Sequence, residues 1–383
     1  MSRQLRLLVV TGTRADFGLW TPILNEAKAR EGVEAALLVA AMHLDAGFGD
    51  TIGDVRAGGW RIAGEVPCTP TGDGRAEMAA AIGQAVIGMA PIVEREAPAW
   101  LVVLGDRGEQ LAAALAALHL GIAVAHLHGG ELTLGAVDDT VRDLISRIAH
   151  LHLTAAPDAA ARLEAMGEEP WRIRLVGAPG LDLLRSEASG DLDRLRADHG
   201  LGSGPYLLVV QHPETVGDRD PVADLAATLE AVRRSGLPSL GLFPNADAGG
   251  RAMAARLADP PSGMRVVASL PRPAYATLLA GAAALVGNSS SGIIEAPLLG
   301  VPAINIGERQ AGRTRGDNIV DVPAVPDAIA EAIDRVREPG FRAGLSGVSP
   351  YGDGHAASRI LDALQTEPLD ARLLRKRVGR PVE

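Results

Sequence analysis

The stretch Val286–Asn305, VGNSSSGIIEAPLLGVPAIN, decides how the chain is read. A short apolar run leads into a Gly-Asn-Ser-Ser-Ser-Gly turn, then a segment carrying Glu295, then a second apolar run. Strand, turn, helix, strand is the repeating unit of a parallel sheet. The unpaired N–H groups at such a helix start, with the hydroxyls of Ser289, Ser290 and Ser291 beside them, can hold a phosphate or diphosphate. Glu295, one turn into the helix, can accept hydrogen bonds from both hydroxyls of a ribose, so the segment reads as a nucleotide-diphosphate site. The alternative is a strand followed by a Ser-capped helix with no ligand.

The 383 residues exceed one ordinary core and fit two domains of roughly 150 to 190 residues each. Hydrophobic residues make up 47% and charged residues 22%, the balance of a folded soluble protein. A net charge of −10 offers no basic stripe for a nucleic-acid backbone, while a small anion in a local pocket remains compatible. MSRQLRLLVVTG reads as a first strand, because its short apolar run lacks a cleavage site. No uninterrupted run of about 18 apolar residues occurs, so no membrane span is expected. The single cysteine, Cys68, excludes an internal disulfide framework and points to the cytoplasm. The only lysines are Lys28, on an expected surface helix, and Lys376, in an expected basic tail. Their positions argue against Schiff-base or pyridoxal-phosphate catalysis.

From the N-terminus, LRLLVVTGTR, VEAALLVA, WLVVLGDRGEQ and IAVAHLHGGE alternate with amphipathic segments, and the pattern resumes at PYLLVVQHPE. This predicts an α/β protein of two Rossmann-like domains facing a central cleft. We expect an N-terminal domain over 1–180, joined near 177–190 to a C-terminal domain over 181–360, with a last helix at about 361–383 packing back on the first domain.

Polar clusters follow the expected strands, where ligands bind in open parallel sheets. TGTRADFG places Arg14 at a tight turn, and GDRGEQ places Asp106 beside Arg107, a possible base next to a substrate clamp. In HLHGGELTLGAVDDTVRD, the period of two puts His126 and His128 on one strand face; Glu131 follows a Gly-Gly turn, and Asp138 and Asp139 start a helix, where the plain reading is N-capping. The histidine spacing matches no standard metal signature, and no metal is expected. QHPET puts His212 at the end of the second domain's first strand.

Taken in order, TGTRADFGLWTPIL, VLGDRGEQLAAALAAL, HGGELTLGAVDDTVRDLISRIAHLH, VGAPGLD, QHPET, FPNADAGGR, GNSSSGIIEAPLLGVPAINIGERQAGRTRGDN and PYGDGHAASRIL resemble the hydrolysing UDP-N-acetylglucosamine 2-epimerases of sialic-acid and related nonulosonic-acid pathways. The resemblance covers nearly the whole chain. It implies the B-type glycosyltransferase fold and catalysis with neither cofactor nor metal. It also implies anti elimination of UDP to a 2-acetamidoglucal, followed by addition of water to release N-acetylmannosamine. By matching motif, Asp106, Glu131 and Asp138 surround the sugar. His212, Ser289 and Ser290 hold the phosphates, with Asn288, Ser291 and Gly292 in the same turn; Glu295 takes the ribose, and Arg14, Arg107 and Arg309 surround the nucleotide. The chain reads LHGGE where members acting on UDP-N-acetylglucosamine often read IEGGE, so His128 stands where they carry a carboxylate and joins His212, at its strand end, among the candidate acid/base groups; the expected substrate is UDP-N-acetylglucosamine, with the sugar the weakest part of the reading. Relatives using UDP- or GDP-linked N,N'-diacetylbacillosamine belong to the same family. A true glycosyltransferase would share the fold, and non-hydrolysing epimerases usually read GTRPE where this chain has GTRAD. The expected partners are a UDP-sugar and further copies of the chain, as a dimer or dimer of dimers, with no nucleic acid and no membrane.

Overall fold

The structure, a computed structural model, describes residues 4–46, 51–71, 75–132, 137–214, 219–244 and 249–377. The expected motif residues 133–136, 215 and 245–248, and the Arg-rich end beyond 377, lie outside these. The chain divides into two compact units: Met1–Asp182 with His355–Glu383, and Leu183–Gly354.

The first unit is built on strands β1 (Leu5–Thr11), β2 (Val33–Ala40), β3 (Arg61–Val66), β4 (Trp100–Leu104), β5 (Ala123–Leu127), β6 (Leu151–Thr154) and β7 (Ile173–Leu175). They form one parallel sheet in the order β3-β2-β1-β4-β5-β6-β7. The second unit holds β8 (Leu207–Val210), β9 (Ser239–Leu242), β10 (Met264–Val267), β11 (Ala284–Gly287), β12 (Ala303–Ile306) and β13 (Ile319–Val322), again parallel, in the order β10-β9-β8-β11-β12-β13. Each sheet grows outward from its first strand in both directions, the doubly wound arrangement. The strand order reverses between β1 and β4 in one unit and between β8 and β11 in the other, which opens a crevice at the carboxyl ends of those strands.

Apolar runs such as WLVVL are buried on both faces because helices cover both sides of each sheet. Along β1, Leu7 and Val9 enter one core cluster while Leu8 and Val10 enter the opposite one, as a period of two requires. The helix Ala356–Thr366 returns to the first unit, packing Ile360, Leu361 and Leu364 into the cluster that holds Leu7 and Val9. It starts ahead of the expected residue 361 because Asp182 caps it: the backbone N–H groups of Ala356 and Ala357 donate to its carboxylate at 2.9 and 2.6 Å. Trp100 Nε1 donates to the Leu364 carbonyl at 3.1 Å, fastening the returning helix to β4.

One helix bears on the expectation of no membrane span, and one expectation needs correcting. Ala76–Glu96 is, among the described residues, one helix long and apolar enough by length and composition to cross a membrane, although Gln84 and Pro91 interrupt its apolar run. It lays Ala85, Met89 and Val93 into the core instead, packed along the Gly108–Leu120 helix. Lys376, expected in a solvated tail, is buried: its Nζ donates to the carbonyls of Ser146, Arg147 and Ala149 at 2.7, 3.1 and 2.7 Å and pairs with Glu168 at 2.7 Å. The carbonyls left over at the C-terminus of the Val137–Ile148 helix attract a cation there, and burial pulls the ammonium down to about 8. Lys376→Met should therefore lower stability by about 2–4 kcal/mol, since it leaves helix carbonyls unsatisfied and Glu168 short of a partner. An unchanged melting midpoint would show that this contact carries no stability.

Candidate functional site

Both crevices are lined by residues that the sequence singles out. In the first unit Gly12–Arg14 follow β1, and Gly105–Arg107 follow β4, either side of the strand-order reversal. Asp106, Arg107, Glu109 and Asp138 line a cavity of about 480 Å³, whose other wall is apolar and includes Met42, Cys68, Pro70, Met78, Ile82 and Ala85. Burial pushes the Cys68 thiol up, which works against a thiolate nucleophile.

Arg142, absent from the sequence-based candidates, assembles the acidic groups. Its side chain is 5% exposed, and its guanidinium donates to the Asp106 carboxylate, to Asp139 Oδ1 at 2.6 Å and to the Glu131 carbonyl at 2.7 Å. Asp138 and Asp139 stand inside the first turn of the Val137–Ile148 helix, not at its cap, so the N-capping alternative does not hold. The Asp138 carboxyl is pushed up by burial first and then by the charge of Asp106, which makes it a readier proton carrier than an ordinary aspartate.

The two histidines do not share a strand face. β5 ends at Leu127, and His128 sits beyond it in the left-handed region with φ 58°. His126 is wholly buried; with Nε2–H donating to the Gly105 carbonyl at 2.8 Å, its Nδ1 accepts from the Ser146 hydroxyl at 3.1 Å. Burial drags its imidazole down to about 3, so it is a neutral brace holding the backbone ahead of Asp106. His128 instead turns Nδ1 onto Glu131 Oε1 at 2.6 Å, leaving its buried Nε2 without a hydrogen-bond partner among the described residues. A carboxylate on one nitrogen with the other nitrogen unused is the arrangement that orients an imidazole for proton transfer. Arg14, at the start of the Arg14–Ala29 helix, stays out in solvent and pairs with Asp54 at 3.7 Å.

Asp16 was missed as well, though TGTRAD carries it. It is 7% exposed and accepts from the Gly12 N–H at 3.3 Å; burial first, then the charge of Glu109, raises its carboxyl from 3.8 to about 6. The folded chain therefore keeps between pH 3.8 and about 6 a proton that the unfolded chain gives up. Stability falls as pH rises across that window, and the full cost stands above it.

In the second unit the sequence-based candidates form two groups. Asn288 spans the crevice between β8 and β11: its Oδ1 accepts from the His212 N–H at 2.7 Å and its Nδ2 donates to the His212 carbonyl at 2.9 Å. Gly287 permits this approach, since with φ 135° a Cβ there would lie 2.1 Å from the Val210 carbonyl oxygen. Arg309 Nη1 reaches the Asn288 carbonyl at 3.3 Å, and the Arg309 N–H donates to Glu214 at 3.2 Å.

The second group corrects the reading of the Ser-rich turn. The helix after it is the single turn Ser291–Ile294, closed by Glu295 and stopped by Pro297; the Ser290 side chain makes no cap, and Ser289 Oγ accepts from the Ser291 N–H at 3.3 Å. Gly292 packs against β12, where a Cβ would meet Ala303 Cβ at 3.1 Å. The Glu295 carboxylate is taken by Arg272 and the Ser291 hydroxyl, while Tyr275 O–H donates to Ser291 Oγ at 2.7 Å. Arg272 and Tyr275 had no signal in the Ser-rich motif itself.

Two Rossmann-like units with polar strand-end groups at each strand-order reversal define the B-type glycosyltransferase fold. The chain belongs to the UDP-N-acetylglucosamine 2-epimerase family, whose profile matches residues 25–365. It is 36% identical over 376 residues to the UDP-N,N'-diacetylbacillosamine 2-epimerase (hydrolyzing) of Legionella pneumophila, covering 97% of this chain and 98% of that one. It is 32% identical over 335 residues to the UDP-N-acetylglucosamine 2-epimerase of Neisseria meningitidis, covering 86% and 87%. Among solved structures, that of UDP-GlcNAc 2-epimerase from Neisseria meningitidis bound to UDP-GlcNAc matches with a TM-score of 0.74 at 16% identity, over 95% of this chain and 100% of that chain.

Asn at position 16 can still accept from Gly12, so Asp16→Asn should stabilise the chain at pH 7.5 by on the order of 2–3 kcal/mol. The gain should shrink below pH 6 and vanish near pH 4. Chemical denaturation of both forms across that range checks it; a constant or reversed difference would mean that Asp16 is ionised without cost.

Proposed function

We propose that this protein is a hydrolysing 2-epimerase acting on a UDP-linked 2-acetamido sugar. The observation that carries the reading is the cavity onto which Asp106, Arg107 and Asp138 open, with Arg142 tying Asp106 to the Glu131 backbone. A base takes the proton from C2 while the C1–O bond to UDP breaks, giving the glucal. The water oxygen then bonds to C1 and a proton is delivered to the opposite face of C2. Inversion by removal on one face and return on the other calls for two proton-transfer groups. The carboxylates Asp106 and Asp138 are one set, and His128 Nε2, oriented by Glu131, is the other. In the first unit Arg107 is assigned to the leaving diphosphate, whose charge is the largest that the site must meet. The second unit, taken by itself, offers the Ser289–Ser291 turn with Asn288, His212 and Arg309 as a phosphate subsite. Glu295 takes the ribose by exchanging its bonds to Ser291 for bonds to the sugar hydroxyls.

The sequence reading favours UDP-N-acetylglucosamine. The apolar wall of Met42, Pro70, Met78, Ile82 and Ala85 supports a less hydroxylated sugar. It suits the methyl and second acetamido groups of N,N'-diacetylbacillosamine, and the 36% identity to the Legionella protein points the same way. Each UDP-sugar is incubated with the protein in deuterated water without an acceptor and followed by proton NMR. We expect free UDP and a 2-epimer carrying deuterium at C2, with faster turnover of the diacetamido sugar. UDP retained on the product would make the enzyme non-hydrolysing, and turnover only with an acceptor would make it a glycosyltransferase. Asp106→Asn and Glu131→Gln should each slow turnover at least about 100-fold, a typical loss for an acid, a base or the group orienting one; near-normal rates in both would remove them from the mechanism.

A further inference from the structure

Arg107 is the cation of the first unit's cavity, and its setting is unusual. It precedes the Gly108–Leu120 helix as the N-cap residue, yet its side chain makes no cap. Its Nε donates to Glu109 Oε1 at 2.6 Å and its Nη2 touches Met42 Sδ at 3.5 Å, while Nη1 has no hydrogen-bond partner among the described residues. Glu109, in the first turn of the same helix, does not point into solvent as a first-turn glutamate ordinarily does. It is 7% exposed and folded back over the end of β1, where a Cβ on Gly12 would lie 2.0 Å from its Oε1 and 2.7 Å from Cδ. The neighbour Asp16 is also buried, so a second carboxylate acts on the same guanidinium through its charge in a place where burying charge is expensive. Stability does not explain that crowding. Orientation does: gripped through Nε, a guanidinium turns the end-on edge of its fork outward, the edge that matches phosphate oxygens.

We infer that Glu109 is a positioning residue that fixes Arg107 as the clamp for the substrate's diphosphate, and that glycine at position 12 is what lets Glu109 take that place. The inference rests on the nucleotide-sugar reading of the cavity. It makes Gly12, which has no side chain of its own, a determinant of affinity, because any side chain there displaces the Glu109 carboxylate and releases Arg107.

The test measures binding of inorganic diphosphate by calorimetry, and steady-state turnover of the UDP-sugar, for the full chain and the variants Glu109→Gln, Gly12→Ala, Arg107→Ala and Glu109→Gln with Arg107→Ala. Melting midpoints are recorded in parallel. Glu109→Gln and Gly12→Ala should each weaken diphosphate binding and raise KM about tenfold, with kcat changed less than about threefold. The double variant should bind no more weakly than Arg107→Ala alone, because Glu109 acts through Arg107. Unchanged diphosphate affinity in both single variants, or losses that add in the double variant, would overturn the inference. Diphosphate binding that behaves as expected in a chain that epimerises neither UDP-sugar would leave the clamp in place and overturn the epimerase reading instead.

Discussion

The guanidinium of Arg142 is the contact on which the first unit's site depends. A carboxylate at the end of β4, another at the start of the Val137–Ile148 helix and a carbonyl from the Gly-Gly turn after β5 converge on it in a place almost closed to water. Without a buried cation between them, these acidic groups would repel one another and the loops carrying them would separate. Arg142 thus converts two separate strand-end excursions, one after β4 and one after β5, into one constellation. It does so from a helix, a more rigid support than the loops it gathers.

Around that contact the parts are differentiated by environment. His126 and His128 are two residues apart, yet one is a wholly buried neutral brace on the Gly105 carbonyl and the other is turned by a left-handed backbone onto Glu131. Asp138 and Asp106 both line the cavity, but Asp106 is paired with Arg142 while Asp138 is pushed toward holding a proton. Separating like groups by their surroundings is how acid and base roles come to be divided within one site.

The alternation of apolar runs and amphipathic segments made the two parallel sheets legible, because strands buried on both faces leave an unmistakable trace. The strand-end motifs were legible for the same reason: the chemistry of these sheets is confined to their carboxyl ends. The failures share one cause. Arg142, Asp16 and Glu109 act through partners distant in sequence, or through a fold-back that periodicity does not encode. Asp139 and Arg142, three residues apart on a helix, did offer a signal, but as an ordinary ion pair of a helix surface. His128 departed from the strand period because it adopts a positive φ, which no local pattern in LHGGE announces for a non-glycine residue. Lys376 was misplaced because its partners are helix carbonyls, which have no sequence signature at all.

The return of the chain's last segment to the first unit has a consequence for biosynthesis. The second unit is one continuous stretch, Leu183–Gly354, whereas the first is discontinuous in sequence. As the chain leaves the ribosome, the first sheet can pair its strands early, but the indole of Trp100 and the carbonyls of Ser146, Arg147 and Ala149 wait for Leu364 and Lys376, which lie beyond the whole second unit in sequence. Until then the cluster around Val9 and Leu7 lacks Ile360, Leu361 and Leu364, leaving a strip of apolar surface open while the whole intervening unit is synthesised and folds. The nascent first unit is therefore the part of this molecule most exposed to aggregation and to chaperone capture, because it cannot close until the second unit has been made.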